Sequence, residues 1–172
     1  MATSTIYLPA ASAVLPDGSA SNLAPALQRV QGSEAAPKKH IMVLAFDGTG
    51  NKEIAWWTFR LPADYVSGGV LKIPWWLNAI TNAVKWQAQV GAITPADADT
   101  PIEHAMAAAA TVTTNVNTVE ANRLTESSIT LTMDSAAPGD LIILMLFRDS
   151  ADAADTAAVD AVTPGVSFEY TS

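Results

Sequence analysis

Leu141-Ile142-Ile143-Leu144-Met145-Leu146-Phe147 decides the fold class of this chain. Seven apolar residues in a row is the length of a strand buried on both faces, and far short of the ~20 residues that a membrane-spanning helix needs. The run is entered through Ala137-Pro138-Gly139-Asp140, a strong turn signal. Before that turn, Ser128-Ile129-Thr130-Leu131-Thr132-Met133 alternates polar and apolar residues and stops at Asp134. Strict alternation puts the apolar set on one face of a strand, so the two segments read as consecutive strands joined by a turn.

The same period extends outward in both directions. Asn82 to Ile93 alternates Ala83, Lys85, Gln87 and Gln89 against Val84, Trp86, Ala88 and Val90. Upstream, His40 to Phe46 is a compact apolar run closed by Asp47-Gly48-Thr49-Gly50. Lys52 to Leu61 carries Ile54, Trp56-Trp57 and Phe59, residue types that suit a pleated surface. Val70 to Trp76 is a further strand, which Pro74 assigns to an edge or a bulge. Downstream, Asp149 to Asp155 reads as an acidic loop, and residues 157–170 close the chain with a kink at Pro164-Gly165. Val112, Asn115 to Val119 and Ala121 suggest one more strand, while Ala105 to Ala110 fits a short helical turn or an irregular or strand segment. The count is about eight strands, with no 10–15-residue amphipathic helix between them. The expected architecture is all-β: an antiparallel two-sheet β-sandwich, the jelly roll being the natural form.

Residues 1–38 read differently. Pro9, Pro16, Pro25 and Pro37 interrupt short apolar islands at Ile6-Tyr7-Leu8, Val14-Leu15 and Leu23 to Val30. This predicts an extended N-terminal arm over 1–38 that orders by lying on a surface, ahead of a sandwich domain over 39–172.

Composition narrows the function. Among 172 residues, 49% are apolar and only 15% are charged, against roughly 25% charged in an ordinary soluble domain. The surface is therefore expected to consist largely of Ser, Thr, Asn, Ala and backbone, or to be partly buried against other chains. The formal charge is −8, the wrong sign for binding nucleic acid through its phosphates. Residues 1–96 sum to +2 and residues 97–172 to −10, which predicts two different surroundings for the two halves. There is no cysteine, hence no disulfide framework and no thiolate site. Met1 to Leu15 has no basic n-region and is broken by Pro9, so synthesis in the cytoplasm is expected.

The residues that could carry chemistry are few. His40 and His104 are the only histidines, and no G-x-S-x-G accompanies them. Asp149, Asp152 and Asp155 are spaced by three, which is not the spacing of an EF-hand loop, and the turn Gly and bidentate Glu are missing. Asp97, Asp99 and Glu103 form a second acidic group of the same kind. Seventeen acids always contain some pair at glycosidase spacing, so that pattern selects nothing. No enzyme, cofactor or metal is expected. Arg60 near Asp64 and Arg148 beside Asp149 are expected to form ion pairs at strand exits.

The tryptophans are more informative. Trp56-Trp57 and Trp75-Trp76 are adjacent pairs, and neighbours on a strand point to opposite faces. One ring of each pair is expected in the core and the other outside, covered by the arm, a neighbouring subunit or a stacked sugar.

Trp57 to Gly69 followed by Val70-Leu71-Lys72-Ile73 resembles a segment of tailed-bacteriophage structural proteins, as do Pro138-Gly139-Asp140-Leu141, Phe147-Arg148-Asp149, Asp155-Thr156 and Gly165 to Tyr170. Together they resemble the jelly-roll domain of capsid decoration (cement) and head-fibre proteins, over about residues 39–172. The resemblance implies a homotrimer on the outer capsid surface of the virion that ties capsomers together, with the major capsid protein as partner and no nucleic acid, membrane or cofactor. The residues expected to grip capsid or neighbouring subunits are Ile6, Tyr7, Leu8, Val14, Leu15, Leu23, Leu27 and Val30 of the arm, with Trp56 and Trp75. The alternative is a receptor- or glycan-binding head domain of a phage fibre.

Overall fold

Each segment with period-two patterning becomes a strand. The computed structural model describes residues 1–172 except 20, 21, 51, 81, 97–100 and 117. The strands are β1 (Thr3–Pro9), β2 (Ala26–Gln31), β3 (His40–Phe46), β4 (Lys52–Arg60), β5 (Ser67–Trp75), β6 (Ala83–Ile93), β7 (Ala110–Asn115), β8 (Thr125–Thr130), β9 (Leu141–Asp149), β10 (Ala161–Thr163) and β11 (Gly165–Thr171). A single 3-10 turn, Ala10–Ser12, is the one helical element among the described residues. Residues 105–109 are irregular, one of the forms expected for them, and β7 starts at Ala110.

The pairing is nested. β6 pairs β7, β5 pairs β8, β4 pairs β9 and β3 pairs β10, all antiparallel. The chain from β3 to β10 is thus one long antiparallel ribbon, doubled back between β6 and β7 and then rolled into two layers. One layer has the order β1-β11-β5-β8 and the other β4-β9-β6-β7. The pairs β10-β3-β2 continue the first layer, joined to it by the Trp76–Val162 bridge. This is the jelly roll. β10 and β11 are one strand broken at Pro164, where the kink was expected.

The nesting corrects the reading of the charge halves. Every sheet neighbour of a strand from the first half is a strand from the second, within both four-stranded layers. The +2 and −10 halves are interleaved and cannot face separate surroundings.

The arm over 1–38 is corrected as well. β1 pairs β11 over seven residues, from Thr3↔Thr171 to Pro9↔Gly165. Leu8 and Ala10 are buried in the main core. The Trp57 Nε1–H donates to the Pro9 carbonyl at 3.1 Å. Gly165 lies so close beneath β1 that a Cβ there would meet the Leu8 carbonyl oxygen at 2.4 Å, so only glycine lets the two backbones approach. Val14 and Leu23 bridge to Trp56 and Glu53, covering the edge of β4. The expected boundary at 38/39 falls inside the turn between β2 and β3. Short apolar islands between prolines are sufficient for an edge strand, because β1 needs one inward face only: Ile6 and Leu8 sit opposite Phe168 and Val166.

The core lies between the layers. Trp57, Trp75, Trp86, Phe46, Phe168, Leu71, Ile73, Leu144 and Leu146 are all buried in it. Phe46 meets Trp86 edge-on with ring centroids 5.1 Å apart, and Trp75 meets Trp86 at 6.2 Å. Each such side chain contributes about 1.5–3 kcal/mol of transfer free energy.

Candidate interaction surface

The tryptophan pairs split as strand geometry requires. Trp57 and Trp75 are buried, while Trp56 and Trp76 are half-exposed. Trp75 was expected to grip a partner. It faces inward instead, with Nε1–H donating to Ser127 Oγ at 2.8 Å in a fully buried contact. The outward ring is Trp76. Trp56 lies opposite Met145 and packs with Ile54, Met145, Phe147 and Met106 in a small cluster on the outside of its sheet. There it is partly covered from within the chain.

The other expected contact residues separate into two groups. Ile6, Leu8 and Leu15 belong to or pack against the core, so they are not available to a partner. Leu23 is half-buried against β4. Tyr7 and Val14 are exposed as single side chains, Tyr7 with its hydroxyl donating to the Pro164 carbonyl at 3.0 Å. Leu27 and Val30 fall together on β2.

That strand is the distinctive part of the surface. All six residues of β2 are exposed. It pairs with β3 on one side, from Ala26↔Ala45 to Gln31↔His40, and its outer edge has no strand partner among the described residues. The distal half of β3, His40 to Met42, is exposed too. The tip is closed by the Gly32 N–H donating to the Lys39 carbonyl at 2.9 Å. Leu27, Val30, Ile41 and Met42 are 44, 36, 46 and 40% exposed. Directly paired residues share a face, so Val30 and Ile41 lie on one face of the ribbon and Arg29 and Met42 on the other. Ile41 and Met42 were missed in the sequence because they sit in a run that elsewhere is buried.

Between this ribbon and the β7–β8 connection runs a groove of about 560 Å³, lined by Val30, Gln31, Ser33, Ile41, Trp76, Asn122 and Leu124. It combines one aromatic ring with amide and hydroxyl groups. A second, smaller hollow of about 190 Å³ lies at the Gly68-Gly69 bulge beside Glu169 and Tyr170.

The titratable candidates do not converge. Arg148 was expected to pair with Asp149 at an exposed strand exit. It is fully buried and pairs with Asp155, because its inward position opposite Glu53 and Trp86 points it into the end of the sandwich. Asp149 instead caps its own turn, accepting from the Ala151 N–H at 3.2 Å. Asp152 pairs with Lys85, and Lys85 with the Ala154 N–H holds its carboxyl below the usual range. The three carboxylates thus have three separate partners. Asp64 accepts from the Tyr170 hydroxyl at 3.1 Å and forms no ion pair with Arg60 among the described residues. His104 lies 3.4 Å from Asp134, and His40 stands on the exposed ribbon. Asp97 and Asp99 of the second acidic group lie outside the described residues, and Glu103 is exposed.

No family model and no curated protein matches the chain. Among solved structures it is similar to TmCBM61 in complex with beta-1,4-galactotriose, at 12% identity and a TM-score of 0.42 over 86% of this chain and 83% of that one. It is similar to CBM27-1 of Caldicellulosiruptor saccharolyticus in complex with mannohexaose, at 9% and 0.45 over 95% and 96%. It is also similar to the family 11 carbohydrate-binding module of Clostridium thermocellum, at 8% and 0.46 over 96% and 87%. At such identities and scores the likeness carries no argument, and the jelly roll rests on the strand order.

Proposed function

We propose that this chain is a structural virion protein without enzymatic activity, which decorates the outer shell of a tailed phage as a homotrimer and strengthens contacts between capsomers. The observation that carries this reading is the unfinished surface of the β2–β3 ribbon. It offers a free sheet edge and four large apolar side chains to water, on a chain with only 15% charged residues. Such an edge invites pairing with another chain, and apolar area of this kind is stabilised by being covered. A shell protein gains by many weak contacts acting together, since repetition around a threefold axis raises avidity without new chemistry.

The test is an add-back to shells of the phage, stripped of their surface proteins. The reading predicts that the full chain binds the shells, appears in electron micrographs as density on their outer surface, and raises their resistance to heat. Shells that stay bare and melt as before would overturn it.

A second reading is a glycan-binding module, favoured by the position of Trp76 in the groove beside Gln31, Ser33 and Asn122. An aromatic face with amide groups around it suits a neutral sugar, the ring stacking on the apolar face of the pyranose and the amides meeting its hydroxyls. A glycan array with the wild type and Trp76→Ala decides it: binding lost in the variant supports the module, and silence of the wild type across the array removes it.

A further inference from the structure

We propose that the β2–β3 ribbon of one copy docks on the acidic body of a second copy, so that the subunits are joined head to tail through it. This rests on the reading of the chain as an assembling structural protein, and it names the surface that joins the copies.

The argument begins with charge. Residues 26–42 carry Arg29, Lys38 and Lys39 against Glu34 alone, a local +2 on a chain whose total is −8, which leaves −10 for the remainder. Most cations of the body are already engaged: Lys72, Lys85, Arg123 and Arg148 each have a carboxylate within ion-pair distance, Lys52 sits 3.9 Å over the Phe147 ring, and Arg60 has neither kind of contact among the described residues. None of Arg29, Lys38 and Lys39 has one among the described residues. Glu34, the one acid of the ribbon, is turned onto the backbone N–H of Lys39 at the tip.

The polarity runs along β3. Its seven residues span about 20 Å, with Lys38-Lys39 at one end and Asp47 at the other. At that far end Asp47 and Glu53 are in contact, the Asp47 N–H donating to the Glu53 carboxylate at 2.6 Å. Asp160 is near enough for its charge to act on Glu53. Asp149 lies there too, opposite Lys52. Of the two cations there, Arg148, opposite Glu53, is already taken up by Asp155, and Lys52 lies over the Phe147 ring. The molecule therefore has a basic, apolar end and an acidic end, held apart by a rigid strand.

These ends fit each other and not themselves. Ribbon against ribbon would bring like charges together, which disfavours that pairing. Ribbon against acidic body pairs opposite charges beside the apolar side chains of one ribbon face, where Leu27 and Met42 flank Arg29, the arrangement of an apolar interface centre with a charged rim. A contact between two different patches is heterologous and closes into a ring when the rotation per copy permits.

The experiment is light scattering behind a sizing column with the full-length chain, at low and at high salt. Wild type is expected as a multiple of 18.0 kDa, falling toward the single-chain mass as salt is raised. The triple variant R29E/K38E/K39E is expected at the single-chain mass at all salt concentrations, with an unchanged circular dichroism spectrum, since these side chains are exposed. A mixture of that variant with D47K/D160K is expected to form mixed complexes heavier than a single chain, although neither assembles alone. A triple variant that keeps the wild-type mass, or a wild type that is monomeric at low salt, would overturn the inference. A triple variant that keeps the wild-type mass yet no longer binds shells would overturn the inference and leave the decoration reading standing. Assembly that depends on the ribbon in a protein that never binds shells would do the reverse.

Discussion

Arg148 and Asp155 form a bidentate ion pair with no exposed side-chain surface, Nε and Nη2 each donating to a different carboxylate oxygen at 2.8 Å. The remaining guanidinium protons go to the carbonyls of Phe46, Ala157 and Val159. Asp155 also accepts from the Lys85 and Ala157 N–H groups. One side chain on β9 thus ties together the end of β3, the start of β6 and the 149–160 loop. Removing one partner leaves the other charge buried and unpaired, a cost of about 3–5 kcal/mol. Asp155→Ala is expected to lower stability by that amount in denaturant unfolding. Replacing both by apolar residues, as in R148M/D155L, is expected to cost less than the single change, because no charge is stranded.

β1 is a structural strand, so truncation tests it against a dispensable region. Deleting residues 1–13 removes Leu8 and Ala10 from the core, the acceptor of Trp57 Nε1 and the partner of β11. Cooperative thermal unfolding is expected to disappear. Leu8→Ala alone is expected to cost about 2–5 kcal/mol. Replacing residues 33–38 at the ribbon tip by a two-residue turn is expected to leave the melting temperature unchanged.

Burial pushes the Glu53 carboxyl above its ordinary range; the Asp47 N–H opposes this, and the charges of Asp47 and Asp160 add to it. A carboxyl whose pKa is raised by folding binds its proton more tightly in the folded state. Its ionised form therefore costs stability at neutral pH, and the cost is lifted as pH falls through the raised value. Glu53→Gln keeps an acceptor for the Asp47 N–H and removes the charge. The variant is expected to melt higher than wild type at pH 7, with the difference vanishing below about pH 4, where both forms are neutral. Equal differences at both pH values would show that the charge is not the cause.

The two half-exposed tryptophans are expected to account for quenching by a polar quencher. Trp57, Trp75 and Trp86 are buried, and Trp56 and Trp76 reach water. In acrylamide titrations W56F/W76F is expected to lose the readily quenched fraction of the emission and to shift the remainder to the blue. Retention of that fraction would contradict the assignment of faces.

Most strands from β3 onward were legible because they bury one face and so show the alternation, or bury both and show the run; β7 lies at Ala110–Asn115, ahead of the stretch Asn115 to Val119 expected for it. Trp pairs announced one ring in and one out, but the face depends on register, which for β5 is set by pairing with β8 and β11 far along the chain. β2 could not be read: Ala26 to Gln31 buries neither face and has no period to show. Arg148 was read onto Asp149 because they adjoin. Its true partner lies seven residues on and returns only through the fold of the loop, which no local spacing reports. The charge of the ribbon was present in the sequence, and what gives it meaning is the nested pairing, which mixes the two halves everywhere except at this projecting edge.

The decoration reading is tested most directly by co-sedimenting the full-length chain with phage shells stripped of their surface proteins, across a range of protein concentrations. The account predicts saturable binding, with bound copies in multiples of three per site. Shells that pellet without the protein at every concentration would contradict it.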